Sequence, residues 1–219
     1  MNAVLALLRK DLIIEFRNRY VLGGVLLYVF SSVLVVYFAL QYNSAMGDVT
    51  PAVWSILFWL IILFSAVNAV ANSFFREPEG RFYYYYWVSS PQHIIIAKLM
   101  YNLLFTSVLA VVTFLIFILM VKNPIQSGGV FLIAVILGGT GYSFLFTTMS
   151  AIASRAGNNA TLMAVLGFPL TIPLIIFLTR ITIACVTGED AAKNLLLLGA
   201  FDMVMAVLGF VLFPYIWRD

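Results

Sequence analysis

Charge is scarce in this chain. Asp, Glu, Lys and Arg make up 10% of its 219 residues while hydrophobic ones make up 63%, against about a quarter charged and about half apolar in a soluble domain. A water-soluble fold has no interior large enough for that much apolar surface, so a soluble enzyme or binding domain is excluded. Lipid suits the composition, provided every backbone group is bonded inside helices or a closed barrel. The apolar runs also lack the polar alternation of barrel strands, which leaves helices. A net charge of +3 in so apolar a chain points to placement about a membrane rather than to nucleic acid.

Chemistry-bearing residues are nearly missing as well. Cys185 is the only cysteine, which excludes an intrachain disulfide and a multi-cysteine metal site; at a helix end it reads as packing. His93 is the only histidine, and just after Pro91 it reads as a cap-region or interface residue rather than a haem ligand. There is no C-x-x-C-H, and no G-x-x-x-x-G-K-[ST]: "GGTGYSF" from Gly138 has the glycines without the lysine that phosphates need. No nucleophile, base and orienting group can be assembled from this inventory, so the chain is expected to be non-catalytic, with no cofactor or metal of its own. Any ATP it uses is hydrolysed by another chain.

What is present is a series of spans. Six runs reach the roughly twenty residues that a core near 30 Å thick demands: Val21–Gln41, Ala52–Asn72, Lys98–Val121, Val130–Ala153, Ala160–Ala184 and Leu195–Ile216. The connectors are short, so residues 1–219 are expected to form one transmembrane domain, an all-α bundle. Arg9, Lys10, Arg17 and Arg19 precede the first run without a short apolar segment and cleavage site, so a retained segment is expected. With the N-terminus cytoplasmic, nine of the twelve cations fall inside; Lys122, Arg180 and Lys193 fall outside. That satisfies the positive-inside rule and returns the C-terminus to the cytoplasm.

Residues 1–20 place Leu5, Leu8, Leu12 and Phe16 on one stripe, with Lys10 and Arg17 opposite. The pattern predicts a helix lying in the membrane surface, because Arg17-Asn18-Arg19 is costly inside lipid. Between the second and third spans, residues 73–97 interrupt the apolar sequence. Glu79-Gly80 reads as a turn, Ser89-Ser90-Pro91 as a cap and helix start, and "RFYYYYW" as an interfacial aromatic belt. Either the belt only anchors the bundle, or it couples to another protein. In the coupling reading Tyr83, Tyr84, Tyr85, Tyr86 and Trp87 are the anchors, rimmed by Arg76, Glu77, Glu79 and Arg81.

Deeper in the spans, Pro169 and Pro173 share a face of the fifth and are expected to kink it, as a hinge or a static bend. Gly138, Gly139 and Gly141 permit close approach, for helix packing or a dimer seam. Asp202 is an ionisable group inside the sixth span. Arg180 and Asp202 lie at depths of roughly 9 and 12 Å on adjacent antiparallel helices, which predicts that they pair; separate snorkelling is the alternative.

The surface helix, the six spans, Phe75-Arg76-Glu77, Gly80, Ser90-Pro91 and Ala97-Lys98 after the second span, and "FPLTIPLIIF" from Phe168 to Phe177 together resemble the CcmB family. Its members are membrane subunits of the ABC complex of cytochrome c maturation, and the charged segment is of a kind shared with many ABC-2-type exporters. The resemblance covers essentially the whole chain, though the run Tyr83 to Trp87 is richer in aromatics than the family leads one to expect. It implies a permease-like bundle in the bacterial inner membrane without an engine of its own. The implied partners are a CcmA-like ATPase, CcmC- and CcmD-like membrane subunits and a CcmE-like haem chaperone, with two copies of this chain in the complex. Its role would be haem handling or release of the loaded chaperone; a non-transporting scaffold for the same assembly is the alternative.

Overall fold

A computed structural model describes residues 2–17, 19–43, 50–75, 91–156 and 160–216. Among them every regular element is helical: α1 Asn2–Arg17, α2 Arg19–Asn43, α3 Pro51–Phe75, α4 Pro91–Met120, α5 Gly128–Arg155, α6 Ala160–Thr187 and α7 Ala192–Ile216. Six of them, α2 to α7, are long and apolar enough to cross a membrane. Each helix outruns its predicted span by a few residues, and α4 does so most: it starts at Pro91, at the helix start read from Ser89-Ser90-Pro91, ahead of the span placed from Lys98. Proline suits a first helical position, where its missing N–H is not needed. The turns that follow bury Ile94, Ile95, Ala97 and Lys98 against protein.

Lipid tails are as apolar as leucine, so helices in a bilayer associate through close packing and hydrogen bonds rather than by escaping water. α5 is where these contacts concentrate, for it packs against α3, α4, α6 and α7. One centre is aromatic. Trp54 and Phe58 of α3 meet Phe117 of α4 at ring distances of 5.0 and 5.3 Å, and Phe131 of α5 closes on Phe58 at 5.6 Å. Pairs of this kind contribute about 0.5–1.5 kcal/mol each beyond their burial.

The end of the bundle near these rings is clasped by backbone and indole bonds. Trp54 Nε1 donates to the Lys122 carbonyl at 3.2 Å. The amides of Gln126 and Ser127 both donate to the Cys185 carbonyl, at 3.0 and 3.2 Å. Gly188 then turns the chain with φ of 78°, a conformation that favours glycine, and the Glu189 amide returns to the Ala184 carbonyl.

At the opposite end, a second and smaller cluster joins Ile94, Ile95 and Leu99 of α4, Ala151 of α5 and Phe213 of α7, with Leu7 of α1 packed on it. α1 ends at Arg17 and α2 begins at Arg19, so the N-terminal segment is a helix separate from the first span. Its protein-facing side differs from the apolar stripe expected: Leu5 is exposed, whereas Leu7 and Asp11, one turn apart, face the bundle. α2 is the most loosely seated span, buried chiefly along Val25, Val29 and Val33. A cavity of about 300 Å³ separates it from α3, lined by Ser32 and Tyr28 on one wall and Leu57 and Phe64 on the other.

Candidate functional site

The glycines of "GGTG" stand at the crossing of five helices, and each makes room for a different one. A Cβ on Gly138 would lie 2.6 Å from the Trp59 ring of α3 and 2.9 Å from Leu178 of α6. On Gly139 it would lie 3.2 Å from both the Ala110 side chain and the Ser107 backbone of α4. On Gly141 it would lie 2.5 Å from Asp202 Oδ1 of α7 and 2.9 Å from Leu174 of α6. Of the two readings open from sequence, packing within the chain is the one observed.

Polar bonds gather at the same level. Trp59 Nε1 donates to Thr182 Oγ1 at 2.9 Å, and Asn102 Nδ2 donates to Thr147 Oγ1 at 2.9 Å, both buried. Thr106 Oγ1 donates across the α4–α5 contact to the Gly139 carbonyl at 3.1 Å. A hydrogen bond of 3.0 Å joins Thr140 Oγ1 to Asp202 Oδ2, and Asp202 Oδ1 has no partner. Asp202 is 5% exposed. Ten residues beyond the start of α7 it lies about 15 Å deep, near the middle of a core about 30 Å thick.

The predicted Arg180–Asp202 pair is not formed. None of the ion pairs among the described residues includes either group. Depth on neighbouring helices is nearly right, but azimuth is not: Ile172, Ile176 and Arg180 fall at four-residue intervals on one exposed stripe of α6, while Leu174, Leu178 and Ile181 fill the interior. Arg180 therefore points outward, as its alternative reading required, and Asp202 points inward to Thr140.

A charged contact that the sequence reading missed ties α1 to α4. Asp11 Oδ1 lies 3.0 Å from Lys10 Nζ, and its Oδ2 lies 3.4 Å from Lys98 Nζ; Asp11 and Lys98 are both buried. The available signal was Asp11 itself, an acid on a helix otherwise read for its leucines and cations.

α6 runs as one helix through Pro169 and Pro173. The two prolines withhold amides from the carbonyls of Val165 and Pro169. The Thr171 hydroxyl donates to the Phe168 carbonyl, at 2.7 Å, and not to either freed carbonyl. The coupling residues Arg76, Glu77, Glu79, Arg81, Tyr83, Tyr84, Tyr85, Tyr86 and Trp87 lie outside the described residues, as does the turn at Glu79-Gly80.

The family model described as CcmB protein matches residues 2–215, from α1 to the end of α7. The chain belongs to the CcmB family. It is thereby a multi-pass membrane protein, of the permease-type membrane component of the haem-exporting ABC system of cytochrome c maturation. No curated protein matches it. The buried features of the chain are aromatic rings, small-residue crossings, a carboxyl in the α5–α7 seam and an ion pair holding the N-terminal helix.

Proposed function

We propose that this chain is the membrane half of a two-part machine, moved by an ATPase that docks from the cytoplasm on residues 73–97. The observation that carries the reading is the CcmB-family match over residues 2–215, on a chain that has no phosphate-binding motif of its own. Arg76, Glu77, Glu79 and Arg81 supply the charged rim of the contact, and Tyr83 to Trp87 its anchors. The segment predicted over 73–97 includes the end of α3, to Phe75, and the first turns of α4, from Pro91, so its charged and aromatic part leads directly into α4. A push on α4 is passed on by the Lys98–Asp11 contact to α1, and by Ile95 and Leu99 to α5 and α7. Pro169 and Pro173 provide the flexible point in α6 through which that motion reaches the far side.

The machine works in the bacterial inner membrane with both termini cytoplasmic. Two copies of this chain, a CcmA-like ATPase and CcmC- and CcmD-like subunits drive haem handling, or the release of a haem-loaded CcmE-like chaperone. Affinity purification from membranes tests the docking: the wild type retains an ATPase chain, and Arg76→Glu with Arg81→Glu loses it. Retention by both refutes the contact. ATP turnover in the purified complex is expected to rise when haem-loaded chaperone is added; turnover indifferent to the chaperone points to a scaffold.

A further inference from the structure

We propose that Asp202 and Thr140 form a proton-binding site inside the bundle, at which Asp202 is held as the neutral carboxylic acid and closes the seam between α5 and α7. The inference concerns the bundle alone and stands whether or not a motor docks on it.

The hydrogen bonds accommodate it. Thr140 Oγ1 is within bonding distance of two oxygens, the Leu137 carbonyl at 2.7 Å and Asp202 Oδ2 at 3.0 Å. A hydroxyl has one proton to give and two lone pairs to receive with. The carbonyl can only accept; when it holds the threonine proton, the proton between Oγ1 and Oδ2 is supplied by a neutral Asp202, and the contact is kept without ionising the carboxyl.

The surroundings agree. Asp202 Oδ1 is buried without a partner, a lighter burden on the C=O oxygen of an acid than on a carboxylate. Among the described residues, the titratable groups on elements packed against α7 leave Asp202 without a counter-charge; Arg155 stands at the far end of α5, fourteen residues from Gly141. On α6, Arg180 faces outward and Cys185 sits at the far end of the helix; toward Asp202 that helix offers Leu174. On α4, Lys98 is occupied with Asp11, and His93 and Tyr101 lie toward the same end of the helix. On α5, Tyr142 is uncharged at neutral pH. Gly141 places the carboxyl against α5 backbone, so hydrating an ionised Asp202 requires α5 and α7 to part.

Infrared spectroscopy of the purified protein at neutral pH tests the proposal. The wild type is expected to show the carbonyl-stretch band of a protonated carboxylic acid, shifted in heavy water, and Asp202→Asn to lose it. Asp202→Asn is also expected to keep the wild-type melting temperature, since its amide can donate to Thr140 as the acid does. Absence of the band in the wild type, or its persistence in Asp202→Asn, overturns the assignment. Should Asp202→Asn fail to fold, Thr140→Val decides: a band moved by loss of its hydrogen-bond partner supports the site, and an unmoved band overturns it.

Discussion

Gly138, Gly139 and Gly141 leave no open space for a side chain where the helices cross. Trp59 and the α4 backbone are rigid neighbours, so an added methyl at Gly138 or Gly139 has little to displace. We expect Gly138→Ala to lower stability by about 1–3 kcal/mol, the usual cost of overpacking, read as a lower melting temperature of the detergent-purified protein. Gly199, whose Cβ would meet nothing within 4 Å, is the control: Gly199→Ala is expected to be neutral or stabilising. Trp59→Phe keeps the ring contacts but leaves Thr182 without its donor, and is expected to cost about 1 kcal/mol. Arg180→Ala is expected to leave the melting temperature nearly unchanged; a large loss would mean that Arg180 has a partner in the bundle. Asp202 stood out in the sequence because an acid within an apolar span has no cheap place to be. Its partner did not, because counting residues along two helices gives depth and says nothing of azimuth. Thr140, flanked by glycines that bring α4 and α7 against α5, was the legible clue.

At the scale of elements, the N-terminal helix is held by a charge contact rather than by grease alone. Lys98→Met leaves Asp11 buried with only Lys10, and Asp11→Asn removes both contacts. Breaking a buried pair from one side costs about 3–5 kcal/mol, and the partial exposure of Lys10 places this one below that range. We expect Lys98→Met to loosen α1, seen as faster amide hydrogen exchange over residues 2–17 with α5 unchanged. Equal exchange in wild type and variant would mean that Leu7 and its neighbours hold α1 unaided. The predicted third span began seven residues inside α4, at Lys98, which sits inside protein, matched to an acid from another helix. The start at Pro91 was legible, since Ser90-Pro91 has the chemistry of a helix opening. For α6, replacing Pro169 and Pro173 together by alanine is expected to keep or raise the melting temperature while reducing chaperone-stimulated ATP turnover in the assembled complex. Unchanged turnover would make the prolines a static bend.

At the scale of the molecule, six spans and a separate N-terminal helix were readable because membrane thickness sets run length and lipid forbids unpaired backbone. Which helix would be central was not readable: α5 is no more apolar than its neighbours, and its role comes from small and hydroxyl residues whose partners lie far along the chain. Sidedness rests on nine cations against three, and the docking proposal rests on sidedness. The most direct test places a single reporter in the aromatic segment. In a Cys185→Ser background, Tyr85→Cys is treated with a thiol reagent that cannot cross membranes, in intact spheroplasts and in inverted vesicles. Labelling in inverted vesicles alone is the predicted result. Labelling in intact spheroplasts would put the segment on the outer face, beyond reach of any cytoplasmic ATPase, and would contradict a bundle driven from within.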